Sequence, residues 1–504
     1  MRSLSPPRKP KAPPKSFDFS QYSTRLIALK FAYLGSAYNG YEHHQNNTTP
    51  LPTVEEELWK ALVKTRLIFP DDDKTVGDWT RADYSKCGRT DRGVSALGQV
   101  IGVRVRSSKP LPKPKPALVS EDEQPHPVES AEAPDANQNG NGVEGIPAGP
   151  EDPEPEDQEP KWDPIEDELP YIQLINRVLP PAIRILAWCP NPGEDFSARF
   201  SCRERRYKYF FTQPAFCPAD PSNPTSPGWL DIPKMQKAAK MYEGLHDFRN
   251  LCKVDPSKQI TNFERRIFHC SVDPVAPLTT PAFMPEGAAQ PMLYAFSVHG
   301  SAFLWHQVRH LVGVLFLIGQ GLEKPELIEE LMDVEKNPRR PMYDMADDKP
   351  LVLWDCIFPK LAESEEGGRG ERITESRPDS LGWIYSDEDA KWGRGALMED
   401  LWRGWRSRMM EEIVAGQLMD TAARQANKVT ATIEEKDKST KTKGRRGKES
   451  TQVFEGGDGP RLKGTYIPIL RRERMATVEE INERYRQRKG IPEGIKKTAD
   501  DGDE

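Results

Sequence analysis

One carboxylate, Asp91, sits between Arg89 and Arg92, and the trio is bracketed by Gly88 and Gly93. Glycine permits tight backbone geometry that other residues resist, and flanking guanidiniums favour the ionised form of a carboxylate. A carboxylate held this way can attack an electrophilic carbon or take a proton as general base. The same Asp-Arg-Gly string is also ordinary turn chemistry, in which the Asp side chain caps its own backbone. From these residues alone both readings stand.

Two further stretches carry polar groups in unusual company. Ala302 to Gly319 is apolar almost all round, which predicts a buried helix, yet His306, Arg309, His310 and Gly313 recur at i, i+3, i+4 and i+7 on one face. A buried guanidinium keeps its charge and needs an anion; Asp91 is the candidate. In Phe196 to Phe211, arginines (Arg199, Arg203, Arg205, Arg206) interleave with Tyr207, Tyr209, Phe210 and Phe211. Cations meet phosphates and aromatic faces stack on splayed bases, so this mixture suits RNA. A strand with Tyr207, Tyr209 and Phe211 on its buried face would read the same way.

The elements that must position these groups are legible from periodicity. Leu26 to Tyr33 is strand-like, and Thr53-Val-Glu-Glu56 forms a capping box before a helix with Val54, Leu58 and Leu62 on one face. Val100, Ile101, Val103 and Val105 alternate with Arg104 and Arg106, so the Asp91 loop feeds a strand. Asp231 to Glu243 reads as a helix with Asp231 as N-cap and Gly244 just past its end. His246-Asp247 follows; a single pair is no ligand set, so a capping role is expected and no metal is assigned. Pro350 to Phe358 is the last strand of the core. Beyond it, Leu397, Leu401, Trp405, Met409 and Ile413 predict an amphipathic helix, Lys436 to Ser450 a charged disordered run, and Thr477-Val-Glu-Glu480 a second capping box.

A chain of 504 residues exceeds one compact core, and 36% hydrophobic content with 47 prolines predicts disordered segments. Residues 121 to 160 hold thirteen Asp or Glu and no Lys or Arg, so without them the formal charge of −7 becomes +6. The surface left behind is basic, which fits a polyanionic partner. Residues 109–160 read as a disordered acidic insert, and 1–20 as a disordered basic arm that touches nucleic acid, serves as a weak nuclear import signal or is a solvated tail. Seven cysteines without a Cys-x-x-Cys pair suit a reducing compartment and argue against disulfides or structural zinc. No apolar run approaches a membrane span.

Gly88-Arg-Thr-Asp-Arg-Gly-Val-Ser-Ala96 resembles the signature of the TruA family of tRNA pseudouridine synthases. Four other blocks resemble that family in order: Tyr33 to Leu62 (with Tyr41 where Trp is commoner), Phe196-Ser-Ala-Arg199 with Arg205-Arg-Tyr207-Lys-Tyr209, Gly244-Leu-His-Asp-Phe248, and Phe303-Leu with Val308-Arg309 and Gly313. The resemblance implies an α+β fold of two related α/β halves around a mixed sheet with a central RNA-binding cleft. Residues 21–200 and 201–360 would be the halves and 361–504 a C-terminal extension. It implies Asp91 as the catalytic residue, Arg309 as its contact with Arg89 in support, and Tyr207 against the target base. Arg92, Arg199, Arg205 and His306 are expected on the substrate side. The implied reaction turns uridine into pseudouridine in tRNA without cofactor or metal, in a homodimer, in nucleus and cytoplasm. The wording of the blocks is most similar to the eukaryotic branch acting at positions 38 and 39 of the anticodon stem-loop; a sister branch acting on other positions or RNAs resembles it less. A non-catalytic RNA-binding module would have no use for both Asp91 and Arg309, and a glycosylase would release free base.

Overall fold

A computed structural model of the chain describes residues 18–44, 49–72, 75–111, 162–218, 223, 225–277, 292–360, 375–425 and 451–491. Most of the basic arm, nearly all of the acidic insert and the charged run at 436–450 lie outside these residues. By compactness the chain divides into one unit of residues 1–24 and 107–169 and a second of 25–106 and 170–504. In the first unit, Glu168 accepts hydrogen bonds from the Ser107 hydroxyl (2.6 Å) and the Ser108 amide (2.9 Å), tying the two edges of the insert together.

The second unit is built on one mixed sheet. Its strands are β1 (Thr24–Tyr33), β2 (Ser85–Lys86), β3 (Ser95–Arg106), β4 (Ile183–Cys189), β5 (Glu204–Gln213), β6 (Gly244–Asp247), β7 (Glu264–Pro277), β8 (Met292–Gly300), β9 (Leu351–Ile357) and β10 (Ile384–Tyr385). They run in the order β10-β4-β1-β3-β9-β5-β8-β7-β6, with β2 added on β3. β4 is antiparallel to β1 and β10, β2 to β3, β5 to β8 and β9, and β7 to β6 and β8, whereas β3 and β9 are parallel through Ser95↔Val352 and Ala96↔Leu353. Leu353 is in turn opposite Tyr207 on β5. The chain therefore enters β3 beside the parallel partner β9, four residues after Asp91, in register with Tyr207 two strands away.

Some helices form where the sequence caps them, and others start without a side-chain cap. α1 (Val54–Lys64) starts at the Thr53 capping box, with Val54, Leu58 and Leu62 buried. α2 (Tyr171–Asn176) packs Tyr171 edge-on to Trp188 of β4. α3 (Ile232–Lys240) is capped by Asp231, whose side chain accepts from the Lys234 amide, and ends three residues before the expected Glu243. α4 (Gln307–Gly319) is buried along its whole length. It begins at Gln307, not Ala302, because His306 adopts φ 59°, a left-handed conformation that cannot continue a helix. α5 (Leu327–Met332) follows.

The C-terminal extension is folded onto the core. After α6 (Glu388–Lys391) and α7 (Leu397–Gln425), the hairpin β11 (Thr451–Val453) and β12 (Arg461–Lys463) leads to α8 (Val478–Lys489), which starts at the Thr477 capping box. Val453, Phe454, Ile469 and Val478 join the same hydrophobic cluster as Phe316 and Leu331. Residues 451–489 thus pad the core.

Candidate active site

The loop from Cys87 to Val94 is held by its backbone. Gln99 of β3 donates its amide to the Gly88 carbonyl (2.9 Å) and accepts from the Gly88 amide (3.3 Å). Arg205 donates through Nη2 to the Cys87 carbonyl (2.9 Å). The hydroxyls of Thr90 and Tyr33 share a hydrogen bond of 2.6 Å, and the Thr90 carbonyl accepts from the Tyr41 amide. A side chain at Gly35 would place its Cβ 2.1 Å from the Val94 carbonyl oxygen, so the preceding loop presses directly on this one. Asp91 itself is only half-buried. The scaffold is fixed and its carboxylate is left open to a visitor.

Asp91 lies in a pocket lined by Gly88, Arg89, Thr90, Val94, Arg205, Tyr207, Phe303 to Arg309 and Leu351. His306 Nε2 is 3.3 Å from Asp91 Oδ2, brought there by the left-handed turn that precedes α4. The imidazole ring packs against Trp305, with centroids 4.7 Å apart. Tyr207 presents its ring edge-on to Phe303 at 5.2 Å, and burial pushes its phenol well above the usual range, so it offers a neutral aromatic face. This arrangement joins a carboxylate, an imidazole and a tyrosine in one cavity.

The geometry alters the contacts expected of Arg309 and Arg89. Among the described residues the ion-pair partner of Asp91 within 4 Å is His306, and the expected contact with Arg309 is not formed. Arg309 lines the same pocket, but its Nε donates to the Ala346 carbonyl (2.8 Å) and its Nη2 is 3.9 Å from Asp348 Oδ2. The physical reason is local: the Arg309 and Gly313 face of α4 packs on residues 344–346, which present nearer acceptors. Asp348 lies against Gly93, whose φ of +84° turns the loop there, and a Cβ at Gly93 would meet the carboxylate at 2.6 Å. Arg309 thus reaches the loop through Asp348. Arg89 pairs with Glu42 (3.1 Å) and not with Asp91.

Arg205 is buried, and its guanidinium donates to the carbonyls of Ser301, Cys87 and Arg199. With both terminal nitrogens on backbone acceptors it braces the loop, while its Nε is left without a partner among the described residues and the residue lines the Asp91 pocket. His306, expected against substrate, faces Asp91. Arg92 is exposed on the turn, and Arg199 lies over the Phe200 ring at 5.1 Å. His246 and Asp247 are structural: His246 Nε2 meets the Glu243 carbonyl (2.8 Å), and Asp247 accepts from the Arg249 amide and guanidinium. The sequence reading missed Asp348 and Gln99. The three aspartates in Tyr343-Asp-Met-Ala-Asp-Asp-Lys349, just before a strand, were the available signal for the first.

Among the described residues, one group has metal-ligand spacing: the buried thiols of Cys87, Cys202 and Cys356, with sulfurs within 4.8 Å of one another. Dispersed in sequence, they meet because the loop, the approach to β5 and β9 converge. Burial pushes the Cys87 and Cys356 thiols well up, so they remain protonated, and the Arg205 cation lies alongside.

Comparison with known proteins agrees with the arrangement. The tRNA pseudouridine synthase family matches residues 238–359, which contain His306, Arg309 and Asp348. The "Probable tRNA pseudouridine synthase tag-124" of Caenorhabditis elegans is 34% identical over 349 residues, covering 68% of this chain and 70% of that protein. The chain belongs to the TruA family of tRNA pseudouridine synthases. Among TruA relatives named "tRNA pseudouridine(38/39) synthase", that of Saccharomyces cerevisiae is 39% identical over 353 residues, 70% of this chain and 62% of its own. The Bos taurus protein of that name is 41% identical over 350 residues, 69% of this chain and 59% of its own. The chain therefore spans about 60% of the length of these two curated relatives.

Proposed function

We propose that the chain isomerises uridine to pseudouridine in the anticodon stem-loop of tRNA, at positions 38 and 39, with Asp91 as the reacting carboxylate. The observation that carries this reading is the joint placement of Asp91, His306 and Tyr207 in one pocket. The names of the yeast and bovine relatives support the substrate and the positions.

The reaction must break the C1′–N1 bond, turn the uracil and rejoin it through C5. In one route Asp91 attacks C1′ and uracil leaves as the N1 anion. C5 of the turned base then displaces the carboxylate, and the C5 proton is lost as N1 gains one. In the other, Asp91 removes the 2′ proton as general base while uracil leaves C1′ as the N1 anion, giving an unsaturated sugar; the turned base then joins C1′ through C5 as the proton returns to C2′, and the C5 proton is lost as N1 gains one. Either route needs the nucleotide flipped from its stem. Tyr207 supplies a face for the base, and His306 holds the carboxylate in line.

A homodimer accompanies this reading. α7 spans about 44 Å at 1.5 Å per residue, and Trp402, Trp405, Ile413, Val414 and Leu418 on it are exposed. Two copies meeting through this helix about a two-fold axis would bury the same patch on each. Light scattering of Trp405→Glu and Leu418→Glu tests it, with monomers expected. We also propose residence in both nucleus and cytoplasm. A fluorescent fusion lacking residues 1–17 tests the basic arm as import signal. Among the described residues no helix is long and apolar enough to cross a membrane.

Incubating the protein with uridine-radiolabelled tRNA tests the activity. Pseudouridine retained in the chain is expected; unchanged uridine would indicate a binding module, and released uracil a glycosylase.

A further inference from the structure

Beside the Asp91 pocket lies a larger cleft, of about 470 Å³, that the proposed chemistry does not use. The two share Gly88 and Arg89 as a wall. On the cleft side, Trp79 and Tyr84 stack at 3.9 Å with an interplanar angle of 13°. Phe200 stands 53% exposed at the margin, with the Arg199 guanidinium over its ring. Deeper in, Glu55 is buried: it accepts from Lys86 (2.8 Å) and from the His43 amide (2.7 Å), while Lys86 also reaches Glu42 (2.9 Å).

We infer that this cleft receives the unpaired nucleotide next to the target uridine, so that the enzyme holds two neighbouring nucleotides out of the stack at once. The inference rests on the reading that the chain acts on a uridine in RNA. Three features fix the ligand class. An aromatic side chain exposed by half at a cleft mouth contributes little to the fold, whereas a nucleobase stacks on it readily. Arg89 and Arg199 border the cleft where the sugar-phosphate of such a nucleotide would run. A carboxylate and an ammonium side by side, Glu55 and Lys86, offer an acceptor and a donor to the polar edge of a base.

Proximity makes the occupant a neighbour in the same strand. Arg89 borders both cavities and is two residues from Asp91, a backbone span of at most about 7 Å. A strand that delivers one nucleotide to Asp91 therefore has its adjoining nucleotide at the mouth of the cleft. The network of Glu42, Lys86, Glu55 and Arg89 also links what fills the cleft to the loop that carries Asp91. Occupancy would select substrates by an unpaired neighbour.

The test uses the full chain and anticodon stem-loop hairpins carrying 2-aminopurine at each unpaired position flanking the target in turn. Stacking in the cleft is expected to quench fluorescence at one adjacent position, with the quench lost in Phe200→Ala and Trp79→Ala. An abasic nucleotide at that position should raise KM for the wild type on the order of tenfold, the scale of one lost base stack. In Phe200→Ala it should cause no further rise. No quench at an adjacent position, or quench and abasic penalty unchanged in both variants, would overturn the inference. Wild-type conversion of the unmodified hairpin, followed in parallel, reports on the activity separately: binding with quench but without pseudouridine would refute the activity and spare the cleft.

Discussion

His306 Nε2 lies 3.3 Å from Asp91 Oδ2, and the backbone of His306 is left-handed in order to put it there. A non-glycine residue in that region carries strain that the surrounding structure must sustain. Here the cost is met by a turn in which the Gln307 amide donates to the Leu304 carbonyl and the Gln307 side chain accepts from the Leu304 amide.

The first prediction concerns that contact. On the proposed reading His306 aims Asp91, so His306→Ala should lower kcat on the order of 100-fold, the scale of a misplacement of about 1 Å. KM should stay within a few-fold. His306→Gln, able to donate to the carboxylate, should recover part of the loss. Equal loss in both variants together with a large rise in KM would return His306 to the substrate side.

Arg309 is predicted to act through Asp348. Asp348→Asn and Arg309→Lys should each lower kcat, and combining them should cost little more than either alone, since both cut one link to the loop at Gly93. Arg309→Ala should also destabilise the fold by about 1–3 kcal/mol by leaving the Ala346 carbonyl short of its donor. Additive losses in the double variant would show that the two act independently.

Arg205 distinguishes bracing from binding. Arg205→Lys cannot reproduce the fork that serves three carbonyls, so melting temperature and kcat should both fall. The salt dependence of RNA binding counts phosphate contacts and should keep its slope. A slope reduced by about one would place Arg205 on the RNA.

Acid stability should depend on His299. Burial first, then the neighbouring Arg206, His269 and Lys208, lowers its pKa from 6.5 to about 4, while the nearby Glu204 is already engaged by Arg206 at 2.7 Å. Between those values the unfolded chain binds a proton that the folded chain refuses, so stability rises with pH across this window. It is lost as pH falls from about 6.5 towards 4. Denaturant melts should show a shallower decline over this window for His299→Gln than for the wild type.

The elements were legible where local chemistry decides them. Thr53, Asp231 and Thr477 cap their helices as their spacing announces, and Leu26 to Tyr33 is a strand. The partnerships of long side chains were not, because they depend on which acceptor the fold brings nearest. Arg309 on its buried helix face was sound, but the loop at residues 344–348 intervenes before Asp91 is reached. Arg205 reads as an RNA ligand among aromatics, and only the convergence of β5 with the loop shows it occupied by carbonyls. His306 looked like the first residue of a helical face; its left-handed backbone could not be seen in an apolar run. The cysteine cluster was hidden because its members lie more than a hundred residues apart.

The central claim is that Asp91 reacts. The most direct measurement is conversion of uridine-labelled tRNA by folded Asp91→Asn and Asp91→Ala, with tRNA affinity measured alongside. The amide nearly matches the carboxylate in size, so packing survives, but it is neither nucleophile nor base. Affinity, spread over many phosphate contacts, should hold within a small factor. Both variants are expected to bind tRNA and form no pseudouridine. If Asp91 merely capped its turn, asparagine would cap nearly as well, and substantial turnover by Asp91→Asn would contradict the account.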